Sequence, residues 1–298
     1  MDVPIAMLQY FCVLADELHF GRAASRLGIA SPSLSQQIAR LEDRLGARLL
    51  DRGPRRVAMT DAGAQLLPLA REAVRTHRLV LDWAVDRRTA SGPALRVGLV
   101  ATGAGPLTTT ILGAVLDRMP SVRLEMRRLG FFDVAEALTS GAVDVAFAPA
   151  PLPLPPEVHA RELTREARVL VVPRGHPLAG RTEVGIAETD DEVFVAPASG
   201  DAAALDWWLV DPRPSGRRPR RGPSADDIEG ILELVAAEVG VNIAAASVAA
   251  HYPRPGLAFV PIRDVPPASI LLCRRAADDR PVVAAFERAA FEVAAHAG

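Results

Sequence analysis

The segment that most restricts the possible folds runs Ser31-Pro32-Ser33-Leu34-Ser35-Gln36-Gln37-Ile38 and continues to Leu45. Leu34, Ile38, Leu41 and Leu45 recur at spacings of four, three and four, which places them on one buried stripe of a helix. Ser31 can cap that helix by accepting an orphan backbone N–H, and Pro32 suits the first helical position. Ser33, Gln36, Gln37, Arg40 and Arg44 fall on the other faces. Gln can bond adenine through two hydrogen bonds and Arg can bond guanine or phosphate, so a helix with one apolar and one hydrogen-bonding side suits a DNA groove.

The flanking residues support the same unit. Arg22 to Leu27 predicts a short helix with Ala23, Ala24 and Leu27 inward, and the small alanines allow a second helix to approach closely. Before it, Leu8, Phe11, Ala15 and Leu18 mark a longer amphipathic helix. After it, Gly53-Pro54 separates two short extended pieces, predicting a two-stranded wing that carries Arg52, Arg55 and Arg56 toward the phosphate backbone. Charge is concentrated there. Residues 19–60 hold eight Arg against three acids, net +5, whereas the whole chain is −2. A small helical subdomain with solvated arginines is the bland alternative, and the agreement of spacing, cap, wing and charge disfavours it.

These residues resemble the winged helix-turn-helix of the LysR-type transcriptional regulators from Leu8 to Gly63. The match is carried by Phe11, Phe20, Ala23, Ala24, Leu27, Pro32, Leu34, Ser35, Ile38, Leu41, Glu42, Leu45, Gly46, Leu49, Arg52, Thr60 and Gly63. Leu50 stands where the family usually has Phe, Met59 where Leu is frequent, and Ser31 where Gln often precedes the Pro. The resemblance implies a sequence-specific bacterial regulator controlled by a small molecule, with an N-terminal winged helix-turn-helix (all-α with a small β wing), a long linker helix, and a two-lobed α/β effector-binding domain resembling periplasmic solute-binding proteins. On that pattern the domains are 1–60, 61–90 and 91–298, with lobe 1 over about 94–162 and 266–298 and lobe 2 over about 163–265.

The linker is visible independently. Thr60 can cap a helix from Asp61, and Leu66, Ala70, Ala73, His77, Val80 and Ala84 follow at spacings of four and three. Leu67, Val74 and Leu81 flank that seam, and Pro68 should bend the helix near its start. Such a seam pairs with a second helix or packs on its own chain. The resemblance favours pairing and hence a homodimer or a dimer of dimers, two reading helices covering a two-part site. Ala90-Ser91-Gly92-Pro93 reads as a hinge.

From residue 94 apolar strand candidates alternate with helices, at 94–100, 122–129, 143–148, 167–172, 192–196, 241–245, 257–261 and 269–273 for the strands. Helices are predicted at 108–119, 134–140, 226–238 and 281–295. The alternation predicts a mostly parallel arrangement, and the number of units suggests two sheets. The resemblance implies crossovers near Arg161–Thr164 and Arg263–Pro267. Pro151 to Pro156 reads as a rigid extended loop.

Ligands of open parallel sheets sit at the carboxyl ends of strands. Four loops are candidates: Ala101-Thr102-Gly103-Ala104, Gly130-Phe131-Phe132, Pro197-Ala198-Ser199-Gly200 and Ser224-Ala225-Asp226. Thr102 and Ser199 are the favoured effector contacts, with Gly103, Phe131, Gly200 and Asp226 beside them. Phe131 and Phe132 either line a cleft or pack, and Ser224 and Asp226 also suit capping. Loops entering helix N-termini expose N–H groups, which favours a carboxylate or another anion as effector. Gly240-Val241-Asn242-Ile243 resembles a family turn in which Asn242 replaces Gly, and Ser247 replaces a Pro; Asn tolerates positive φ. Arg213, Arg217, Arg218, Arg220 and Arg221 form either a solvated loop or a second contact for DNA backbone or an anion.

Other classes find less support. Apolar residues make up 49% of 298, enough for sizeable cores, and all 34 basic residues are Arg. No run is long enough to span a bilayer and no signal pattern opens the chain, so a cytoplasmic location is expected. Cys12 and Cys273 read as buried hydrophobes. No metal-ligand spacing, nucleophilic triad, paired carboxylates or phosphate loop is present, and no cofactor or catalytic residue is expected. A two-lobed enzyme and a solute-binding protein are the rival readings, and neither accounts for residues 4–60. The expected partners are double-stranded promoter DNA, a small-molecule effector, a second copy of the chain, and RNA polymerase if the protein activates.

Overall fold

The computed structural model describes residues 2–52, 57–89, 92–198 and 200–297, with the side chains of residues 52, 82 and 85–89 outside that description. The chain divides into two compact units. The first holds Met1–Ala90 with Thr139–Gly141, and the second holds the rest.

The first unit begins with α1 (Ile5–Glu17), α2 (Phe20–Leu27) and α3 (Ser31–Leu45). Phe11, Leu14, Ala23, Leu34, Ile38 and Leu41 are fully buried in one cluster. Two details differ from the sequence pattern. Leu18 does not extend the stripe of α1, because the chain turns left-handed there and leaves it exposed, and Leu14 takes the buried position instead. The second helix starts at Phe20 rather than Arg22, because the His19 ring accepts the N–H groups of Gly21 at 3.1 Å and Arg22 at 3.2 Å. The turn between α2 and α3 closes at Gly28, φ 66°, where a side chain would be strained.

The wing is β1 (Leu50–Arg52) paired antiparallel with β2 (Val57–Met59), Leu50 opposite Met59. Glu42 of α3 fixes it to that helix by accepting the N–H of Leu49 at 2.8 Å and of Leu50 at 3.1 Å. Removing that carboxylate strands two part-buried donors. Glu42→Ala is expected to cost about 2 kcal/mol, measured as a fall in the urea midpoint; a change below about 0.5 kcal/mol, ordinary for a surface site, would show that the wing does not depend on it.

Thr60 caps the long α4 (Asp61–Thr89) by accepting the Gly63 N–H at 3.0 Å. The apolar seam of α4 is divided between two environments. Ala70 and Val74 are buried, with Leu66 and Leu67 packed against the core beneath α1, whereas Val80, Leu81 and Trp83 are exposed.

The described residues of the second unit contain two larger sheets and a parallel pair of two-residue strands, Val193–Phe194 beside Arg220–Arg221. Around the first lie β3 (Ala94–Val100), α5 (Pro106–Arg118), β4 (Arg123–Leu129), α6 (Val134–Thr139), β5 (Val145–Pro149) and β6 (Val158–Glu166). Next come β7 (Arg168–Pro173), β8 (Val193–Phe194), α7 (Ala202–Leu209), β9 (Arg220–Arg221), α8 (Ile228–Ala236), β10 (Asn242–Ala245), α9 (Ser247–His251) and β11 (Leu257–Pro261). The chain ends with β12 (Ala268–Arg275) and α10 (Pro281–Ala297). The first sheet has the order β4-β3-β5-β12-β6 and the second β10-β7-β11.

The expectation of mostly parallel sheets is therefore corrected. β3 is parallel to β4 and β5, but β12 is antiparallel to β5 and β6, and β7 is antiparallel to β10 and β11. The reason is topological. The chain leaves the first sheet at the carboxyl end of β6 and returns at the start of β12, so the strands flanking each passage run opposite to their neighbours. The first passage falls at Ala167, three residues beyond the expected Arg161–Thr164. Arg161, Glu162 and Thr164 still hold their places in the ladder opposite Leu272, Leu271 and Ile270. The second passage lies between Pro261 and Ala268, as expected.

Candidate functional site

Two surfaces carry chemistry. On α3, the side chains opposite the buried Leu34, Ile38 and Leu41 are Ser33, Gln36 and Arg40, exposed at spacings of three and four and so aligned on one face. Gln37 is half-buried beside them, and the guanidinium of Arg44 donates to the carbonyl of Asp2. Ser31 is not the cap. It is the first helical residue, half-buried, and Ala30 in an extended conformation occupies the cap position without a side-chain bond. Pro32 follows one position later, where its missing N–H still leaves no helical bond unmade. Arg55 and Arg56 lie outside the described residues, as does the side chain of Arg52, whose backbone closes β1. The basic patch is smaller than the charge tally implied. Arg22 and Arg26 pair with Glu17 at 3.1 and 3.3 Å, an acid just outside the basic window.

The second surface is a cavity of about 80 Å³ at the carboxyl ends of β3, β4, β5, β8 and β10. Three of the four candidate loops contribute to it, through Ala101, Thr102, Gly103, Phe131, Phe132 and Pro197. Thr102 is buried and its hydroxyl meets that of Ser247 at 2.6 Å, tying the end of β3 to the start of α9. Phe131 both lines the cavity and packs beside the buried clusters of either sheet, so the two readings of it coexist. Gly200 is not among the lining residues; it lies against Phe132, where a Cβ would stand 2.2 Å from the ring. Ser199 lies outside the described residues.

The fourth loop does not line the cavity. Asp226 instead offers its carbonyl to the Phe131 N–H at 3.3 Å, and the cap of α8 is Asp227, which accepts the Gly230 N–H at 2.7 Å. Asn242 also differs from expectation. It begins β10 in extended form and donates to the Val195 carbonyl at 2.9 Å, while the left-handed residue of that stretch is Glu238, φ 61°.

Sequence reasoning missed Leu205, Trp208, Ile228, Ile231, Ala244, Ala245 and Val248, which form the apolar wall. Most sit on α7, α8 and α9; α7 and α9 are short and their apolar residues read equally well as core. Trp208 is held in place from below. Buried Arg168 donates to the carbonyls of Trp207 at 3.0 Å and Trp208 at 3.3 Å, at the end of α7 where a cation suits the helix dipole. Burial, and then the charge of Arg213, lower the Arg168 guanidinium to about 10, still protonated at neutral pH.

The arginine-rich loop is largely solvated, as the first of its two readings expected, with Arg217, Arg218, Arg220 and Arg221 exposed; of the five only Arg213 is buried, and the arginines pair with acids and carbonyls of their own chain. Arg213 is buried against the Phe194 ring and 3.7 Å from Asp190, Arg217 pairs with Asp191 at 2.7 Å, and Arg221 pairs with Asp206 and with Asp211 at 3.3 Å. It clasps its own lobe. Cys12 and Cys273 are buried and unbridged, and burial pushes the Cys273 thiol up to about 12, which leaves it unreactive. Among the described residues no group of His, Cys, Asp and Glu could hold a metal ion, and no helix is long and apolar enough to cross a membrane.

Comparison with known proteins covers both units. The family model for bacterial regulatory helix-turn-helix proteins of the lysR family matches residues 5–64, and that for the LysR substrate binding domain matches residues 88–295. The transcriptional regulator TtuA of Agrobacterium vitis is 30% identical over 265 residues, 88% of this chain and 86% of its own. CatR of Pseudomonas putida is 30% identical over 282 residues, 93% and 94% of the two chains. The crystal structure of CbnR, a LysR family transcriptional regulator, superimposes with a TM-score of 0.66 over 98% of this chain and 99% of its own, at 23% identity, a likeness of fold.

Proposed function

The chain belongs to the LysR family of DNA-binding transcriptional regulators, and from that premise we propose how its residues divide the work. The proposed division is 1–60 for DNA, 61–90 for self-association and 91–298 for an effector, with 94–162 and 266–298 as one lobe and 163–265 as the other. Ser33, Gln36 and Arg40 enter the major groove, with Gln37 at its edge, and Arg52, Arg55 and Arg56 follow the phosphates beside it. A small molecule enters the cavity at Thr102, Gly103 and Phe131 and favours one arrangement of the lobes. It shifts the equilibrium only by its differential affinity for the two arrangements. The protein performs no catalysis, works in the cytoplasm, and contacts RNA polymerase if its effect is activation.

The observation that supports this reading best is the exposed stripe Ser33–Gln36–Arg40 backed by the fully buried Leu34, Ile38 and Leu41. A helix buried on one side and hydrogen-bonding on the other is what base readout requires. Footprinting of the purified protein on DNA flanking its own gene, across a salt series, tests it. A two-part protected site about one or more helical turns apart, with steep loss at higher salt, is the expected result. Uniform protection without sequence preference would refute specific readout.

Self-association rests on α4. Val80, Leu81 and Trp83 are all more than half exposed on the single chain, an apolar surface suited to a second copy of the helix. Leu81→Asp is expected to convert dimer to monomer in sedimentation equilibrium and to abolish the two-part footprint. A dimer of wild-type affinity in that variant would place the interface elsewhere.

A further inference from the structure

Resting on the reading of the cleft as the effector site, we propose that its ligand is a small, uncharged, largely apolar molecule, and that the protein's own carboxylates exclude anions from it. Of the described residues that line the cavity, only Thr102, Trp208 and Asn242 have polar side-chain atoms and none is charged. Two of these are engaged, Thr102 with the Ser247 hydroxyl and the Asn242 amide nitrogen with the Val195 carbonyl. A ligand carboxylate would enter low-dielectric surroundings without a cation to pair with, which is strongly unfavourable.

Four backbone N–H groups beside the cavity that could receive an anion already donate to carboxylates. Asp133 accepts from Gly130 at 3.0 Å, beside Phe131, and Glu166 accepts from Ser247 at 3.0 Å, beside Val248. Asp201 accepts from Ala204 at 2.8 Å, beside Leu205, and Asp227 accepts from Gly230 at 2.7 Å, between Ile228 and Ile231. Four helix starts and turns beside the cavity thus carry a full negative charge, and α5, whose cap Gly105 makes no side-chain bond, has Glu166 beside that glycine, so an anion meets like charges there. Arg128, which hydrogen-bonds the Tyr252 hydroxyl near Ala101, is two-thirds exposed and paired with Glu229 at 3.1 Å. The expectation of an anionic effector, drawn from loops at helix N-termini, thus gives way: carboxylates of the chain occupy four of those N–H groups.

Size adds a second constraint. The cavity of about 80 Å³ is near half the roughly 150 Å³ of an apolar cavity known to admit benzene. A benzene-sized ligand has to part the lobes to enter, and that ties occupancy to lobe geometry.

The test uses the full-length protein and matched neutral and anionic probes: benzyl alcohol against benzoate, and butanol against butyrate. Thermal midpoint and tryptophan fluorescence are read over a millimolar concentration series, because a ligand bound to the native state raises the midpoint saturably. At least one neutral member is expected to bind, with its anionic partner at least about tenfold weaker, which is about 1.4 kcal/mol. Ala245→Leu, at the end of β10, and Ala196→Val, in the segment after β8, fill the cavity from two sides, and each is expected to remove the neutral probe's effect while unfolding cooperatively without it. Tighter binding of the anion that is lost in the filled variants would overturn the ligand class and leave the cleft reading standing. A neutral effect that survives both fillings would overturn the cleft reading itself. No effect from any neutral probe would overturn the proposal.

Discussion

Replacing Asp144 by Ala is expected to destabilise the effector-binding domain by about 3–5 kcal/mol, because it removes one partner from a buried charge cluster. Asp144 precedes β5 and is almost completely buried. One carboxylate oxygen accepts the Arg96 N–H at 2.7 Å, and the other meets the guanidinium groups of Arg275 at 3.4 Å and of Arg280. Arg275 is itself buried and donates to the carbonyls of Leu138 at 2.8 Å and Val143 at 3.0 Å. Asp278 pairs with both arginines and, without Asp144, has to balance them alone. The loss is larger than for a surface pair because two desolvated cations are left with one anion. In a domain of this size each kcal/mol moves the midpoint by roughly 2–4 °C, so a fall of about 10 °C is expected by calorimetry. Asp144→Asn, which keeps an acceptor for Arg96 and loses the charge, should fall between.

Acid should act on the same cluster. Burial pushes the Asp278 carboxyl up, but the hydrogen bond from Arg280 and the charges of Arg280 and Arg275 outweigh it, and the group ends below its ordinary value of 3.8. A depressed carboxylate contributes stability that is present above its unfolded pKa and is lost as pH falls through the folded one. The wild type should therefore lose this contribution below about pH 4, and Asp278→Ala should show a flatter acid limb. An Asp144→Ala midpoint within 2 °C of wild type, about 1 kcal/mol or less, would mean that the cluster does not hold the lobe together.

The first unit was legible because a 3.6-residue period, one core and one basic face coincide in a short stretch. Leu34, Ile38 and Leu41 could only be inward if Ser33, Gln36 and Arg40 were outward. What escaped were effects of neighbours in space. Glu17 neutralises two arginines of α2, and His19 caps that helix with a ring nitrogen rather than a hydroxyl. In the second unit β6 was missed because its charged residues point to solvent from an edge strand, leaving only Val158 and Leu163 buried. The strand-end rule located three of the four cleft loops, yet it could not tell which N–H groups remained free. That depended on Asp133, Glu166, Asp201 and Asp227 folding back onto them. Arg213 read as part of a solvated loop because composition cannot register Asp190, 23 positions earlier, or the buried Phe194 ring beneath its guanidinium.

On α3, Gln36→Ala and Arg40→Ala are expected to separate base readout from backbone contact. Each lost bidentate base contact costs about 1–3 kcal/mol, and a dimer loses it twice, so operator affinity should fall by about 30-fold to 20,000-fold. Gln36 is uncharged and exposed in the middle of the stripe, so its effect should fall on the operator alone, leaving affinity for random DNA and the salt slope unchanged. Arg40, one turn further along the same face, can reach guanine or phosphate. Loss of specific binding with an unaltered slope assigns it to a base. Equal loss on operator and random DNA, with the slope reduced by about one per subunit, assigns it to phosphate. Because Leu34, Ile38 and Leu41 carry the packing from the opposite side, neither substitution should move the unfolding midpoint, and the affinity change can be read as lost contact. Wild-type operator affinity in both variants would take α3 out of the groove and leave the wing as the reading element.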